Sequence, residues 1–136
     1  MQGKCNHILM KIFYCSRTSG IIHLFPHSNK SRDEFEEQFG KGMGPLILAR
    51  TDSLAINGFE EAVQRMLAFR EVGCDMTFLE APQTVEQMQE YCRIVSGPKL
   101  ANMLEYGSTP ILRPEELKTM GYTMAGVYKD YYLCDI

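Results

Sequence analysis

From about residue 45 onward, short apolar runs alternate with longer stretches in which apolar residues recur at helical spacing. Continuous apolar runs are typical of parallel strands that are covered on both faces. Such runs lie at residues 45–49, 76–79, 99–102 and 122–127. Periodic stretches that predict the intervening helices lie at residues 58–72, 84–95 and 114–120. This alternation predicts an α/β fold with a parallel sheet.

Turn and cap residues support these boundaries. Asn57 and Glu60 have the spacing of a capping box before the first helix, and Thr84 and Gln87 repeat that spacing before the second. Gly73 follows the first periodic stretch, where a left-handed residue commonly ends a helix. We therefore expect two well-defined helices between residues 58 and 95.

The two ends of the chain lack this regularity. Residues 1–44 form a poorly defined N-terminal segment, residues 45–127 form the strand and helix repeats, and residues 128–136 form a divergent tail. The first acid is Asp33, so the start of the chain is basic like an organelle transit peptide, although it is not rich in arginine. Its cysteines and histidines lack the spacing of a zinc site.

The composition is that of a globular domain. The chain has 136 residues, of which 45% are hydrophobic and 23% charged. The net charge of −3 argues against nucleic acid or an anionic membrane as a partner. No apolar run approaches the roughly 18 residues of a membrane helix. Five cysteines at irregular spacing favour a reducing compartment, cytoplasmic or organellar, over a disulfide framework.

Polar residues follow three of the predicted strands. Arg50 and Asp52 end the first, Glu80 ends the second and Asn102 ends the third. Parallel strands of this kind belong to a doubly wound sheet or to a (β/α)8 barrel, and ligands bind at the carboxyl ends of the strands in both. A guanidinium there can grip a carboxylate or a phosphate. The alternative is that Arg50 and Glu80 merely pair with each other or tether loops.

Common catalytic motifs are missing. The glycines at 40, 42 and 44 precede a predicted strand, whereas a dinucleotide or P-loop site needs them after one. The sequence has neither a Gly-x-Ser-x-Gly elbow nor a His-Glu-x-x-His motif. Hydrolase triads and zinc proteases therefore have no support.

Four segments resemble the isocitrate lyase and phosphoenolpyruvate mutase superfamily, particularly its methylisocitrate lyase, oxaloacetate hydrolase and carboxyphosphonoenolpyruvate mutase branch. They read ARTDS at 49–53, GFEEAVQR at 58–65, GCDMTFLE at 73–80 and LANMLEYGSTP at 100–110. The resemblance implies a (β/α)8 TIM barrel of the phosphoenolpyruvate/pyruvate-domain type, with this chain supplying about strands five to eight. A whole barrel needs about 250 residues. The resemblance also implies homo-oligomers, so we expect self-association or a separate N-terminal half as partner.

The same resemblance implies roles for individual residues. Arg50 corresponds to the arginine that binds a substrate carboxylate, Asn102 to a substrate-binding asparagine and Glu80 to an active-site glutamate in the proton network. Residues 4–7, with sequence KCNH, resemble a mobile loop that carries the catalytic cysteine, which makes Cys5 the candidate for proton transfer. Residues 8–30 would then be an insertion or foreign sequence.

The implied metal site is incomplete. The superfamily holds Mg2+ through an Asp-x-Asp pair, and none of the five aspartates here is followed two positions later by another. Mg2+ is expected for the superfamily, but no metal ligand can be assigned in this chain. The resemblance implies a carbon–carbon lyase for 2-hydroxy or 2-oxo di- or tricarboxylates, or a related phosphonopyruvate-type mutase. Without the metal ligands, we expect the chain alone to be inactive. The alternative function is an inactive, truncated half-barrel that acts as a partner-dependent binding subunit.

Overall fold

A computed structural model of the chain describes residues 10–15, 37, 41, 46–127 and 134–135. The described strands are β1 (Met10–Cys15), β2 (Leu46–Thr51), β3 (Met76–Leu79), β4 (Leu100–Met103), β5 (Met124–Val127) and β6 (Cys134–Asp135). The described helices are α1 (Leu54–Asn57), α2 (Phe59–Glu71), α3 (Val85–Ile94) and α4 (Pro114–Met120). The mixed α/β class and all four predicted strands are confirmed. None of the described helices is long and apolar enough to cross a membrane.

The strands lie side by side in the order in which the chain visits them. β1, β2 and β3 pair in parallel, and so do β4 and β5. A parallel bridge between Thr77 and Lys99 joins β3 to β4. β6 pairs antiparallel with the first half of β5. The predicted parallel arrangement is therefore confirmed from β2 to β5, and the described strands show no reversal of order.

The sequence did not predict β1. Met10 pairs with Leu46 at one end of the strand and Cys15 pairs with Thr51 at the other. This strand lies within residues 8–30, which were expected to be an insertion. The short stretch mixes apolar, basic and aromatic residues without regular alternation, so its strand structure depends on pairing with β2.

The two faces of the sheet carry different apolar clusters. The larger cluster packs the sheet against the helices and includes Ile47, Ala49 and Leu79. The smaller cluster lies on the opposite face and consists of Leu48, Met76, Phe78 and Met124, with Leu100 packed against it. Side chains alternate between the faces of a strand. Positions 50, 80 and 102 follow cluster members by two residues and therefore belong to the face of the smaller cluster.

The end of α2 confirms one predicted cap, whereas its start corrects another. Gly73 has a φ of 92°, and the amide of Cys74 donates to the carbonyl of Phe69, as in a Schellman motif. The capping role predicted for Asn57 is wrong. Asn57 is the last residue of α1, and Gly58 is the N-cap of α2 without a side-chain hydrogen bond. Asn57 cannot cap α2 because it is itself part of the short helix α1, which ends directly before Gly58.

Helix α3 is fixed at its start and along its length. The Oγ1 atom of Thr84 accepts a hydrogen bond from the amide of Gln87 at 3.2 Å, which confirms the predicted N-cap. The side chain of Gln87 reaches back one residue further than a capping box requires, to the amide of Gln83. Along the helix, the hydroxyl of Tyr91 and that of Thr77 are hydrogen-bonded at 2.5 Å, and both residues are fully buried. This bond ties α3 to β3.

Candidate functional site

The carboxyl ends of β2 and β3 bring three predicted site residues together. The amide of Glu80 donates to the carbonyl of Thr51 at 3.0 Å, so the backbone after β3 remains paired with β2. Arg50, Asp52 and Glu80, which follow two of the predicted strands, meet at this edge. We call these three side chains the edge triad.

The guanidinium of Arg50 is held on two sides and on one face. Its Nε lies 2.8 Å from Oδ1 of Asp52, and its Nη2 lies 3.5 Å from Oδ2 of the same carboxylate. Nη2 also lies 3.3 Å from Oε2 of Glu80. The guanidinium carbon sits 5.1 Å from the centroid of the Phe78 ring, within cation–π range. The ion pair that was the alternative role of Arg50 and Glu80 is therefore present, and it also fixes the orientation of the guanidinium.

Burial disfavours the charged form of Glu80. Its side chain is only 25% accessible, and its Oε2 atom is screened from solvent with no hydrogen-bond partner among the described residues. Burial raises the pKa of Glu80, the Arg50 charge opposes that rise, and the Asp52 charge adds to it. A carboxyl group in this environment can exchange a proton nearer to neutral pH than an ordinary glutamate.

Residues that the sequence analysis missed support the triad. The hydroxyl of Thr51 donates to the hydroxyl of Ser53 at 2.9 Å, and the amide of Ser53 donates back to Thr51 at 3.3 Å. Both residues are almost fully buried, so they fix the turn that carries Asp52. The signal available in the sequence was the Thr-x-Ser pair after a strand, which is typical of a hydroxyl-stabilised turn. Phe78 gave no such signal, because its role depends on the register between β2 and β3.

Backbone strain also concentrates beyond the strand ends. Among the described residues, Ala81 and Tyr106 are the non-glycine residues with positive φ, at 53° and 66°. Ala81 follows Glu80 directly, and Tyr106 lies in the loop after β4. Left-handed backbone is unfavourable for residues with a Cβ atom and often marks functional loops. Its position here agrees with a site at the carboxyl ends of the strands.

The structure places Asn102 on the same face, one strand beyond Glu80. Asn102 is half-buried on β4 and pairs in register with Gly126 of β5. A Cβ atom added to Gly126 would lie 3.4 Å from Oδ1 of Asn102, so the amide fills the space beside this glycine. Cys5 lies outside the described residues, and its proton-transfer role stays a prediction.

The chemistry of the triad does not fit Mg2+. Mg2+ prefers several oxygen ligands in octahedral geometry. Both carboxylates of the triad already pair with Arg50, and its positive charge opposes a divalent cation at the same place. The described residues also contain no group of three or more metal-ligating side chains close together. The triad is suited to recognise an anion.

Comparison with curated proteins shows similarity to two lyases. The 2,3-dimethylmalate lyase of Eubacterium barkeri is 42% identical over 79 residues, which are 58% of this chain and 27% of the lyase. The 2-methylisocitrate lyase of Aeropyrum pernix is 43% identical over 77 residues, which are 57% of this chain and 25% of that enzyme. The chain thus spans about a quarter of the length of these curated relatives. No protein-family model matches the chain.

Solved structures show a similar fold over more than half of the chain. A crystal structure of 2,3-dimethylmalate lyase, a PEP mutase/isocitrate lyase superfamily member, has a TM-score of 0.61 at 34% identity and covers 71% of this chain and 33% of that chain. Oxaloacetate acetylhydrolase in complex with the product oxalate has a TM-score of 0.57 at 34% identity. That match covers 60% of this chain and 28% of the hydrolase chain.

Proposed function

The chain belongs to the isocitrate lyase/phosphoenolpyruvate mutase superfamily, and from this premise we propose that it carries the carboxylate-binding portion of a carbon–carbon lyase site. The proposed substrates are 2-hydroxy or 2-oxo di- or tricarboxylates. The observation that carries the proposal is the guanidinium of Arg50, which is oriented by Asp52, Glu80 and the Phe78 ring at the carboxyl end of β2. An oriented guanidinium offers paired hydrogen bonds to one carboxylate.

The strand order supports a part of a (β/α)8 barrel. In such a barrel each parallel strand lies beside the next strand of the chain, whereas a doubly wound sheet reverses its order at a switch point. β2 to β5 follow the barrel order and would correspond to strands five to eight. β1 would then occupy the place of the strand before them. Cys5 precedes β1 in the sequence, whereas the resemblance puts the catalytic cysteine after that strand, so the proposed role of Cys5 needs its own test.

Each proposed site residue has a distinct chemical task. Cleavage of a carbon–carbon bond next to a hydroxyl requires a base to take the hydroxyl proton and an acid to return a proton to the enolate. Arg50 would hold a substrate carboxylate, Asn102 would orient the substrate through its amide, and Glu80 would belong to the proton network. These tasks do not involve Mg2+, which the triad does not fit.

Arg50 pairs with both carboxylates of the triad, which leaves neither available for a metal ion. This observation favours a second candidate function, that of a binding subunit. A half-barrel that recognises an anion, and whose described residues contain no group of metal-ligating side chains, would act as a binding subunit. Its proposed partner is a second copy of the chain or a separate N-terminal half that supplies the remaining strands. A dicarboxylate would then be cleaved only in the completed assembly.

Calorimetric titration with oxalate tests carboxylate binding at Arg50, which both proposed functions require. Arg50→Ala should weaken oxalate binding at least about tenfold, because hydrogen bonds to a charged group contribute about 1.5–3 kcal/mol. Arg93→Ala is the matched control, since Arg93 is exposed on α3 and pairs with Glu90. Equal affinities for the two variants would contradict the carboxylate site.

An activity assay separates the two functions. The chain would be incubated with Mg2+ and each of three acids, 2,3-dimethylmalate, 2-methylisocitrate and oxaloacetate, and the cleavage products would be measured. Turnover by the isolated chain supports the lyase. Oxalate binding without turnover supports the binding subunit.

A further inference from the structure

The edge triad already contains one more negative than positive charge. Arg50 contributes +1, and Asp52 and Glu80 contribute −1 each when ionised, so their sum is −1. Each carboxylate of a ligand bound to Arg50 would add a further −1 at this half-buried position. Like charges that approach closely at low dielectric raise the pKa of at least one of them. Binding is therefore favoured if one triad carboxyl becomes neutral.

The contacts with Arg50 indicate which of the two carboxyl groups becomes protonated. Asp52 contacts both Nε and Nη2 of Arg50, whereas Glu80 contacts Nη2 alone at the longer distance of 3.3 Å. A ligand that uses the outer edge of the guanidinium needs Nη2 and so competes with Glu80. Apart from this ion pair, the Oε2 atom of Glu80 has no hydrogen-bond partner among the described residues. Once displaced from Arg50, an ionised Glu80 would keep its solvent-screened Oε2 atom without a compensating partner among the described residues, which is costly.

We propose that Glu80 takes up one proton when a carboxylate ligand binds to Arg50. The inference rests on the proposed function and adds to it a coupling between ligand binding and pH. Within the described residues, the charged groups that act on Glu80 are Arg50 of β2 and Asp52 just after it. The neighbouring candidate on β4 is Asn102, which does not titrate. Binding of the ligand removes the stabilising effect of Arg50 and leaves the repulsion from Asp52.

The sign of the pH dependence follows from proton uptake. Below the pKa of Glu80 in the free protein, the residue is already protonated and the association constant does not vary with pH. Above that pKa, each unit of pH lowers the association constant by up to tenfold, because one proton must be bound with the ligand. The expected profile therefore falls as pH rises and does not have a maximum.

Isothermal titration of the full chain with oxalate in two buffers of different ionisation enthalpy measures the uptake directly. We expect an uptake of up to one proton per ligand at neutral pH, and an association constant that falls as pH rises above the raised pKa of Glu80 in the free protein. Binding with no proton uptake would overturn this inference while leaving the proposed function intact. Absence of oxalate binding at every pH would overturn the proposed function and the inference with it.

Two variants and one spectroscopic measurement assign the proton. Glu80→Gln should bind oxalate at least as tightly as the wild type at neutral pH, with an uptake near zero. Glu105→Gln, which removes an exposed carboxyl from the loop after β4, should keep the wild-type uptake. The 13C shift of the Glu80 carboxyl in labelled wild-type protein provides a measurement that needs no variant. It should move toward the protonated value when oxalate is added, and an unchanged shift or undiminished uptake in Glu80→Gln would overturn the assignment.

Discussion

At the scale of single residues, Ala81 shows how the position of Glu80 is set by the backbone beside it. Ala81 has a φ of 53° and directly precedes Pro82, which cannot continue the ladder of β3. A left-handed residue with a Cβ atom costs about 1–2 kcal/mol. The chain leaves the strand here, directly after Glu80, whose amide still pairs with Thr51 and whose side chain contacts Arg50. Strain of this kind persists where surrounding structure fixes the turn.

Replacing Ala81 should reveal this strain. Ala81→Gly should raise the free energy of unfolding by about 0.5–1 kcal/mol, because the relief of strain exceeds the entropy cost of glycine. Ala81→Val should lower it by about 1–2 kcal/mol, because a β-branched side chain suits left-handed backbone even less. Urea denaturation measures both changes. Ala55→Gly, at an exposed position of α1, is the control and should be destabilising. The interpretation fails if both glycine variants lose stability equally.

At the scale of elements, the end of the sheet opposite the triad is fixed by a network around Arg70. The guanidinium of Arg70 donates to the carbonyls of Cys74 and Asp75. The carboxylate of Asp75 in turn accepts a hydrogen bond from the amide of Ile47 at 2.7 Å. These bonds connect the end of α2 with the amino ends of β2 and β3. The Arg70 and Asp75 hydrogen bonds hold β2 and β3 in the register on which the edge triad depends.

Gly97 and Gly73 offer a matched test of this network. Both have positive φ, at 85° and 92°, but a Cβ atom at Gly97 would lie 2.5 Å from Nη2 of Arg70, whereas one at Gly73 would meet nothing within 4 Å. Both alanine variants should lose about 1 kcal/mol from backbone strain. Gly97→Ala should lose about 1–2 kcal/mol more, because the guanidinium must leave its carbonyl partners.

Denaturant unfolding of single and double variants would measure the predicted difference in stability between Gly97→Ala and Gly73→Ala. In an Arg70→Ala background, the difference between Gly97→Ala and Gly73→Ala should disappear. A difference that persists without the Arg70 side chain would show that the network is not its cause.

The same end of the sheet contains a buried lysine. Lys99 is 4% exposed, and its Nζ donates to the carbonyl of Gly97 at 2.7 Å and lies 5.9 Å from the centroid of the Tyr91 ring. Burial lowers the pKa of Lys99. In (β/α)8 barrels, such as the one proposed above, the amino ends of the strands serve stability while the carboxyl ends carry the chemistry. The location of Lys99 fits a structural role.

At the scale of the whole molecule, β6 covers part of the edge of the sheet. Cys134 and Asp135 pair with Ala125 and Met124 of β5 in antiparallel orientation. An unpaired strand edge is a template for association with another chain. In the proposed barrel, the edge of β5 is where a further parallel strand would pair. The short strand β6 therefore occupies a position that a partner half would need.

Disrupting the pairing of β6 with β5 should increase self-association of the chain. Replacing both Cys134 and Asp135 by proline deletes the backbone donors of β6 whichever residue bonds to β5. We expect a larger apparent mass at a given concentration in size-exclusion chromatography with light scattering, and a change in unfolding free energy below about 1 kcal/mol. Cys134→Ser with Asp135→Asn is the control, since it keeps both donors. Identical masses for the two double variants would show that β6 does not protect the edge.

Much of this architecture follows from local sequence. The apolar runs, the Gly73 and Thr84 caps and the polar residues after each run determined four strands, their parallel order and the convergence of Arg50 with Glu80. These features are local because backbone geometry, caps and alternation are set within a few residues. The sequence missed β1, α1 and β6, and it misassigned Asn57, because such short elements depend on distant pairing or on competing turns.

Only the tertiary structure determined how the site works. The contact of Arg50 with Phe78 depends on strand register, and the raised pKa of Glu80 depends on burial. The shared Nη2 atom, from which the proton coupling is inferred, is a property of three side chains brought together from two strands. Solvent exclusion and charge proximity arise from packing between residues far apart in the chain, so local sequence identifies the residues but leaves their energetics to the fold.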